Sequence, residues 1–148
     1  MRSLRSPSGY SLAEILVAMA VVAAVTTVAV PSVTKLREAA SLGSMQREIM
    51  SALYIARSTA IATNSPRSVV ITPPRLITIQ NPGKTTTYYT RDLSGYGRGL
   101  SIAGDAVTIT FDARGLVNPP GSTTLTINNS LGQSKTVTVS PTGKATAS

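Results

Sequence analysis

The sequence predicts an α+β chain: a long N-terminal helix, apolar enough in its first half to span a membrane and amphipathic in its second, followed by a β-rich domain. Three observations carry that expectation. Ile15 to Val30 reads ILVAMAVVAAVTTVAV, without a charge. Between Lys35 and Thr63 apolar residues recur at steps of three and four. Beyond Pro66 short runs rich in Thr, Val and Ile alternate with turns built on Pro and Gly.

The apolar run comes first. Counted to Val33 it holds 19 residues, or about 28 Å of helix at roughly 1.5 Å per residue, close to a hydrocarbon core of about 30 Å. Glu14 stands at its N-terminal edge, and the leader Met1–Gly9 carries Arg2 and Arg5. Three readings compete. A secretory signal peptide would be removed near Thr27-Val28-Ala29, but the run is long for its type and Glu14 has no role in it. A plain anchor would keep Arg2 and Arg5 in the cytoplasm. Processing on the cytoplasmic side, before the apolar helix, would leave that helix in the mature protein. Glu14 separates the three, because an ionisable group against hydrocarbon is costly and usually has a partner.

From Lys35 to Thr63 the chain has no Pro and one Gly, Gly43. Leu42, Met45, Ile49, Leu53, Ala56 and Ala60 draw one apolar stripe. Arg37, Glu38, Gln46, Arg47, Glu48 and Arg57 are expected largely elsewhere on the helix, and Glu48 and Arg47 are too close in sequence to face each other. Asn64-Ser65-Pro66 ends the helix, since proline disfavours helix in the residue before it. From Tyr10 to Thr63 the helix would be on the order of 80 Å long.

The β-like runs are Ser68–Thr72, Arg75–Gln80, Thr85–Thr90 and Val107–Phe111, with turns at Pro73-Pro74 and Asn81-Pro82-Gly83. Arg91–Gly99 reads as irregular. Asn118-Pro119-Pro120-Gly121 interrupts. Thr123–Asn128 and Lys135–Ser140 form a hairpin around Asn129-Ser130-Leu131-Gly132, and Pro141-Thr142-Gly143 turns into a short tail.

Gly9-Tyr10-Ser11-Leu12-Ala13-Glu14 resembles the processing site of type IV pilins and type II secretion pseudopilins. The resemblance implies that a prepilin peptidase cuts after Gly9 and methylates the new N-terminus at Tyr10, where the family usually has phenylalanine. It implies that Glu14 pairs with the N-terminal amine of a neighbouring subunit; a buried carboxylate needs such a counter-charge. It also puts Pro31 where these helices often kink or melt, and proline removes a backbone hydrogen bond. Leu53 to Ile61 with Asn64-Ser65-Pro66, then Ile109 to Gly115, then Thr142-Gly143-Lys144, are similar to the GspH/FimT group of minor pilins and minor pseudopilins. That group implies a pilin-like fold, with the long helix packed on an antiparallel β domain. The expected parts are a leader at 1–9, a membrane or fibre-core helix at 10–34, and an exported globular domain at 35–148, with helix to 63 and β structure from 67.

The chain carries a formal charge of +8 and has neither His nor Cys. Disulfides, the usual zinc sites and His-based triads are therefore excluded. The acids beyond residue 35 are Glu38, Glu48, Asp92, Asp105 and Asp112, too scattered for a catalytic carboxylate pair. Asp105 and Asp112 read as a turn and a strand end rather than a Ca²⁺ site. Gly95-Tyr96-Gly97-Arg98-Gly99 lacks the spacing and the following helix of a phosphate loop. No enzyme, metal or cofactor is expected.

Residues 35–148 have a net charge of +7, which suits anionic partners or simply solubility. Some FimT-like minor pilins bind DNA through a C-terminal Gly-Arg-x-Arg motif. The corresponding segment here, Gly143-Lys144-Ala145-Thr146, keeps one cation and has Thr146 in place of the second. Lys135, Lys144, Arg114, Arg98 and Arg91 are the candidates for a phosphate-contacting patch, against the plainer reading as solvated loop charges. The expectation is a minor pilin or pseudopilin in the bacterial inner membrane, its domain periplasmic. It would initiate or cap a type IV pilus or a type II secretion pseudopilus. Its partners would be other pilins through the N-terminal helix, prepilin peptidase and the membrane. The alternatives are a DNA-binding minor pilin acting in DNA uptake and, on the signal-peptide reading, a secreted β domain.

Overall fold

Helix α1 runs from Leu12 to Ala62, 51 residues assigned helical without a break. The computed structural model describes the backbone of residues 10–97 and 99–148, and in α1 the side chains of all but residues 27–32 and 34. Gly9, the expected processing position, lies outside the described residues. The helix continues through Pro31. The chain divides into two units between Leu36 and Arg37.

The first unit contains the apolar part of α1. Ile15, Leu16, Val17, Met19, Val21, Val22 and Val25 are all exposed. Among the described residues no helix is long and apolar enough to cross a membrane; the apolar run continues past Thr26 into residues whose side chains lie outside those described. A helix that is apolar on all sides is normally buried in lipid or in a larger assembly.

The second unit is the rest of α1 with, among the described residues, eight strands. The stripe expected from the sequence is the buried face: Leu42, Met45, Ile49, Leu53, Ala56 and Ala60 are each at most 2% exposed. They share one core with two four-stranded antiparallel sheets. The first sheet has the order β3-β2-β1-β5, from β1 Arg67–Thr72, β2 Leu76–Gln80, β3 Thr87–Asp92 and β5 Val107–Phe111. The second has the order β4-β6-β7-β8, from β4 Ser101–Ile102, β6 Thr123–Asn128, β7 Ser134–Val139 and β8 Ala145–Ala147. Alternate residues point inward, as strand geometry requires. In register, Val69 sits opposite Ile79 and Ile109, and Leu125 opposite Val137. All of these are buried.

Some elements differ from the sequence reading. The expected antiparallel β domain is built, among the described residues, from two sheets. β3 starts two residues later than expected because Asn81 holds the preceding turn: its Oδ1 accepts the N–H groups of Thr85 and Thr86 at 2.8 and 3.1 Å. The strand then reaches Asp92, opposite Leu76, so the stretch expected to be irregular begins as strand and continues as a 3-10 turn, Ser94–Tyr96. Two strands were not expected at all. β4 has only two residues, and β8, an Ala-Thr-Ala segment, forms where a tail was expected. β8 exists because Gly143, at φ 74°, turns the chain back onto β7, where Val139 pairs with Ala145. The Asn129–Gly132 turn is as expected. Asn129 Oδ1 accepts from the Leu131 and Gln133 N–H groups, and Gly132 takes positive φ, the way asparagine and glycine make turns.

Candidate assembly and partner-binding surfaces

Tyr10 precedes the helix and is 82% exposed. The Ser11 carbonyl accepts the N–H groups of Glu14 and Ile15 at 2.9 and 3.2 Å, which closes the first turn. Glu14 is therefore a first-turn carboxylate, where the helix dipole favours negative charge. It is exposed and, among the described residues, its side chain has no partner. Tyr10 and Glu14 share one side of the helix with Ile15, Ala18, Met19 and Val22. The chain thus presents a lone carboxylate at the head of an uncovered apolar helix.

The five cations proposed for DNA do not form one free patch. Arg91, on β3, lies 3.4 Å from Glu48 of α1, and its Nη2 donates to the Tyr96 hydroxyl. Glu48 also accepts from the Tyr89 hydroxyl at 3.0 Å and the Tyr96 hydroxyl at 2.8 Å. Burial, and then the bond to Glu48, push the Tyr89 phenol above its ordinary range. Arg114 is paired with Asp112 at 3.0 Å. Lys135 is half-buried on β7, and its Nζ donates to Gln46 Oε1 at 3.3 Å. Arg98 lies outside the described residues. Lys144 is exposed at the entry to β8 and, among the described residues, its ammonium has no partner.

Three helix residues expected largely off the apolar stripe tie the helix to the sheets and turns. Gln46 is buried, and its Nε2 donates to the carbonyls of Thr136 and Ser148 at 2.9 and 3.0 Å. Glu48 gathers β3 and the 3-10 turn. Arg57 reaches both sheets: Nε donates to Gly115 O at 3.0 Å, and Nη2 to Thr142 O at 3.1 Å. The signal available in the sequence was their position. Gln46 and Arg57 stand three or four residues from buried members of the stripe, at its edge rather than opposite it.

Beside Arg57 is a shallow cavity of about 220 Å³, bounded by Met50, Leu53, Tyr54, Arg57, Lys144 and Ala145. Its floor is apolar and its rim carries two cations. Tyr54 is 72% exposed on the helix above it.

The family model for "Type II transport protein GspH" matches residues 46–143. The chain belongs to the GspH family. The matched region takes in Gln46, Glu48, Arg57, Gly115 and Gly143; Glu14 and Lys144 fall outside it. The fold of this GspH-family chain is also that of a known pilin. The crystal structure of the type IV minor pilin FimU from Pseudomonas aeruginosa superposes with a TM-score of 0.64 at 19% identity, over 76% of this chain and 92% of that one. A second crystal form of FimU gives 0.58 at 20% identity, over 72% and 92%. No curated protein sequence matches. The GspH-family chain therefore has a pilin-like fold, with a helix packed on antiparallel sheets.

Proposed function

We propose that this protein is a minor pilin or minor pseudopilin: a structural subunit held in the inner membrane by its N-terminal helix and incorporated into a type IV pilus or type II secretion pseudopilus. One observation carries the reading. An uncovered apolar helix, headed by Glu14, which has no partner among the described residues, belongs to the same chain as a GspH-family domain. Such a helix needs lipid or other helices around it, and Glu14 in that setting needs a cation. Cleavage after Gly9 would create one at Tyr10. Passing from membrane to fibre core then keeps the helix buried and exchanges lipid for neighbouring subunits. The test is fractionation of sheared fibres. The protein should be found in them, and Glu14→Ala should retain membrane insertion but lose incorporation. Equal incorporation of Glu14→Ala would refute the pairing, and absence of the wild type from every fibre would refute the reading.

A second reading, DNA capture, has one observation in its favour: the exposed Lys144, free among the described residues, on a domain of charge +7. Arg91 and Arg114 are already paired with carboxylates, which reduces the charge left for phosphates. On this reading the log–log salt slope of DNA affinity should fall by about one unit in Lys144→Ala. An unchanged slope would remove Lys144 from any DNA site.

A further inference from the structure

We infer that the cavity between α1 and the entry to β8 is a docking site for a different, acidic subunit of the same fibre. It would receive an Asp or Glu next to an aliphatic side chain. The inference rests on the structural-subunit reading above and names a surface and a partner chemistry for it.

The chemistry of the cavity selects the occupant. Leu53 forms the floor, with half-buried Met50 and Ala145 beside it. A cavity of about 220 Å³ suits one or two side chains. Tyr54 borders it with most of its surface exposed, and tyrosine is enriched among the hot-spot residues of interfaces. The rim is cationic and uncompensated. Among the described residues the ion pairs are Arg91–Glu48 and Arg114–Asp112, so neither Arg57 nor Lys144 has a carboxylate. Arg57 uses Nε and Nη2 on carbonyls, and among the described residues its Nη1 is left unused. Arg57 and Lys144 border the same cavity, so a carboxylate there meets uncompensated positive charge while its aliphatic neighbour enters the cavity.

A second copy of this chain is a poor occupant. Two domains of charge +7 repel, and the acids beyond residue 35 are mostly engaged. Glu38 accepts from Ser130, Glu48 from two tyrosines, Asp92 from the Ser94 N–H, and Asp112 is paired with Arg114. A nucleic acid is disfavoured as well. It needs a track of free cations along its backbone, whereas this site has two cations over an apolar floor.

The test is photo-crosslinking of the full-length protein in cells that assemble the fibre. A benzophenone amino acid replaces the exposed Tyr54, and in a parallel strain it replaces Val22 of the apolar helix. The expected product at position 54 is an adduct with a pilin-like subunit other than this chain, joined at a peptide with Asp or Glu beside an aliphatic residue. Lys144→Glu should lower its yield by about tenfold, because like charges across an interface repel. Lys84→Glu, on the turn before β3, should leave it unchanged. Three results would overturn the proposal: an adduct between two copies of this chain, an adduct with nucleic acid, or no adduct at position 54 while position 22 reacts with fibre subunits. Equal loss in Lys84→Glu would also overturn it, as a general charge effect. If neither position reacts with a fibre subunit, the structural-subunit reading falls too.

Discussion

Gly143 meets Gly115 backbone to backbone, with no room for a side chain between them. A Cβ on Gly143 would collide with the Gly115 carbonyl. Both residues have positive φ, 74° and 79°. Arg57 clamps the junction through the Gly115 and Thr142 carbonyls. One helix residue thereby joins the turn after β5, in the first sheet, to the turn before β8, in the second.

Gly143→Ala should therefore destabilise the protein by about 1–3 kcal/mol, combining left-handed strain with the collision. Gly121, with positive φ absent and nothing within 4 Å of an added Cβ, is the control. Its change to Ala should be near neutral. Thermal denaturation of both variants checks this. Equal midpoints would contradict the close approach.

Arg57→Ala should cost about 1.5–3 kcal/mol, the range for hydrogen bonds that involve a charged group. Arg57→Lys should recover only part of it, because a single ammonium lacks the planar fork that reaches two carbonyls. Full recovery by Lys in chemical denaturation would mean that charge alone matters.

Asp112 gives the domain an acid-sensitive turn. The Leu116 N–H foremost holds its carboxyl below the usual carboxylate range; burial opposes it, and the Arg114 guanidinium and N–H lower it further. A depressed folded value stabilises above the unfolded one, about 3.9, and that stabilisation is lost as pH falls through the folded value. Midpoints measured from pH 7 down to about 2 should fall below about pH 4. Asp112→Asn should lack that component. An identical acid slope in the variant would refute the assignment.

How much of this was legible in the sequence depended on how local each cause is. The stripe from Leu42 to Ala60 could be read because large apolar residues repeat with the helical period. Val107, Ile109 and Phe111 could be read because they alternate. β8 could not, because Ala-Thr-Ala has little propensity of its own and becomes a strand by pairing with β7. The roles of Arg57 and Gln46 were not legible because their acceptors lie far along the chain: 58 and 85 residues away for Arg57, 90 and 102 for Gln46. Glu14 stood out as a lone charge before an apolar run. Among the cations proposed for DNA, the pairing of Arg91 with Glu48 was not legible because the two lie on different elements far apart in the chain, whereas Arg114 and Asp112 are two residues apart.

Glu14→Gln offers a sharper version of the Glu14→Ala test. It keeps size and polarity and removes only the charge. If Glu14 meets a neighbour's ammonium in the fibre core, breaking that pair should cost about 3–5 kcal/mol. Incorporation should then fall about as far as in Glu14→Ala. Normal incorporation of Glu14→Gln would show that a hydrogen bond suffices and that no buried ion pair forms.

The most direct measurement is the mass of the mature N-terminus in purified fibres or inner membranes. The structural-subunit account predicts a chain that begins at Tyr10 with an N-methyl group and retains the whole apolar helix, and it predicts that changing Gly9 leaves the precursor uncut. An N-terminus near Val30, with the helix removed, would contradict it.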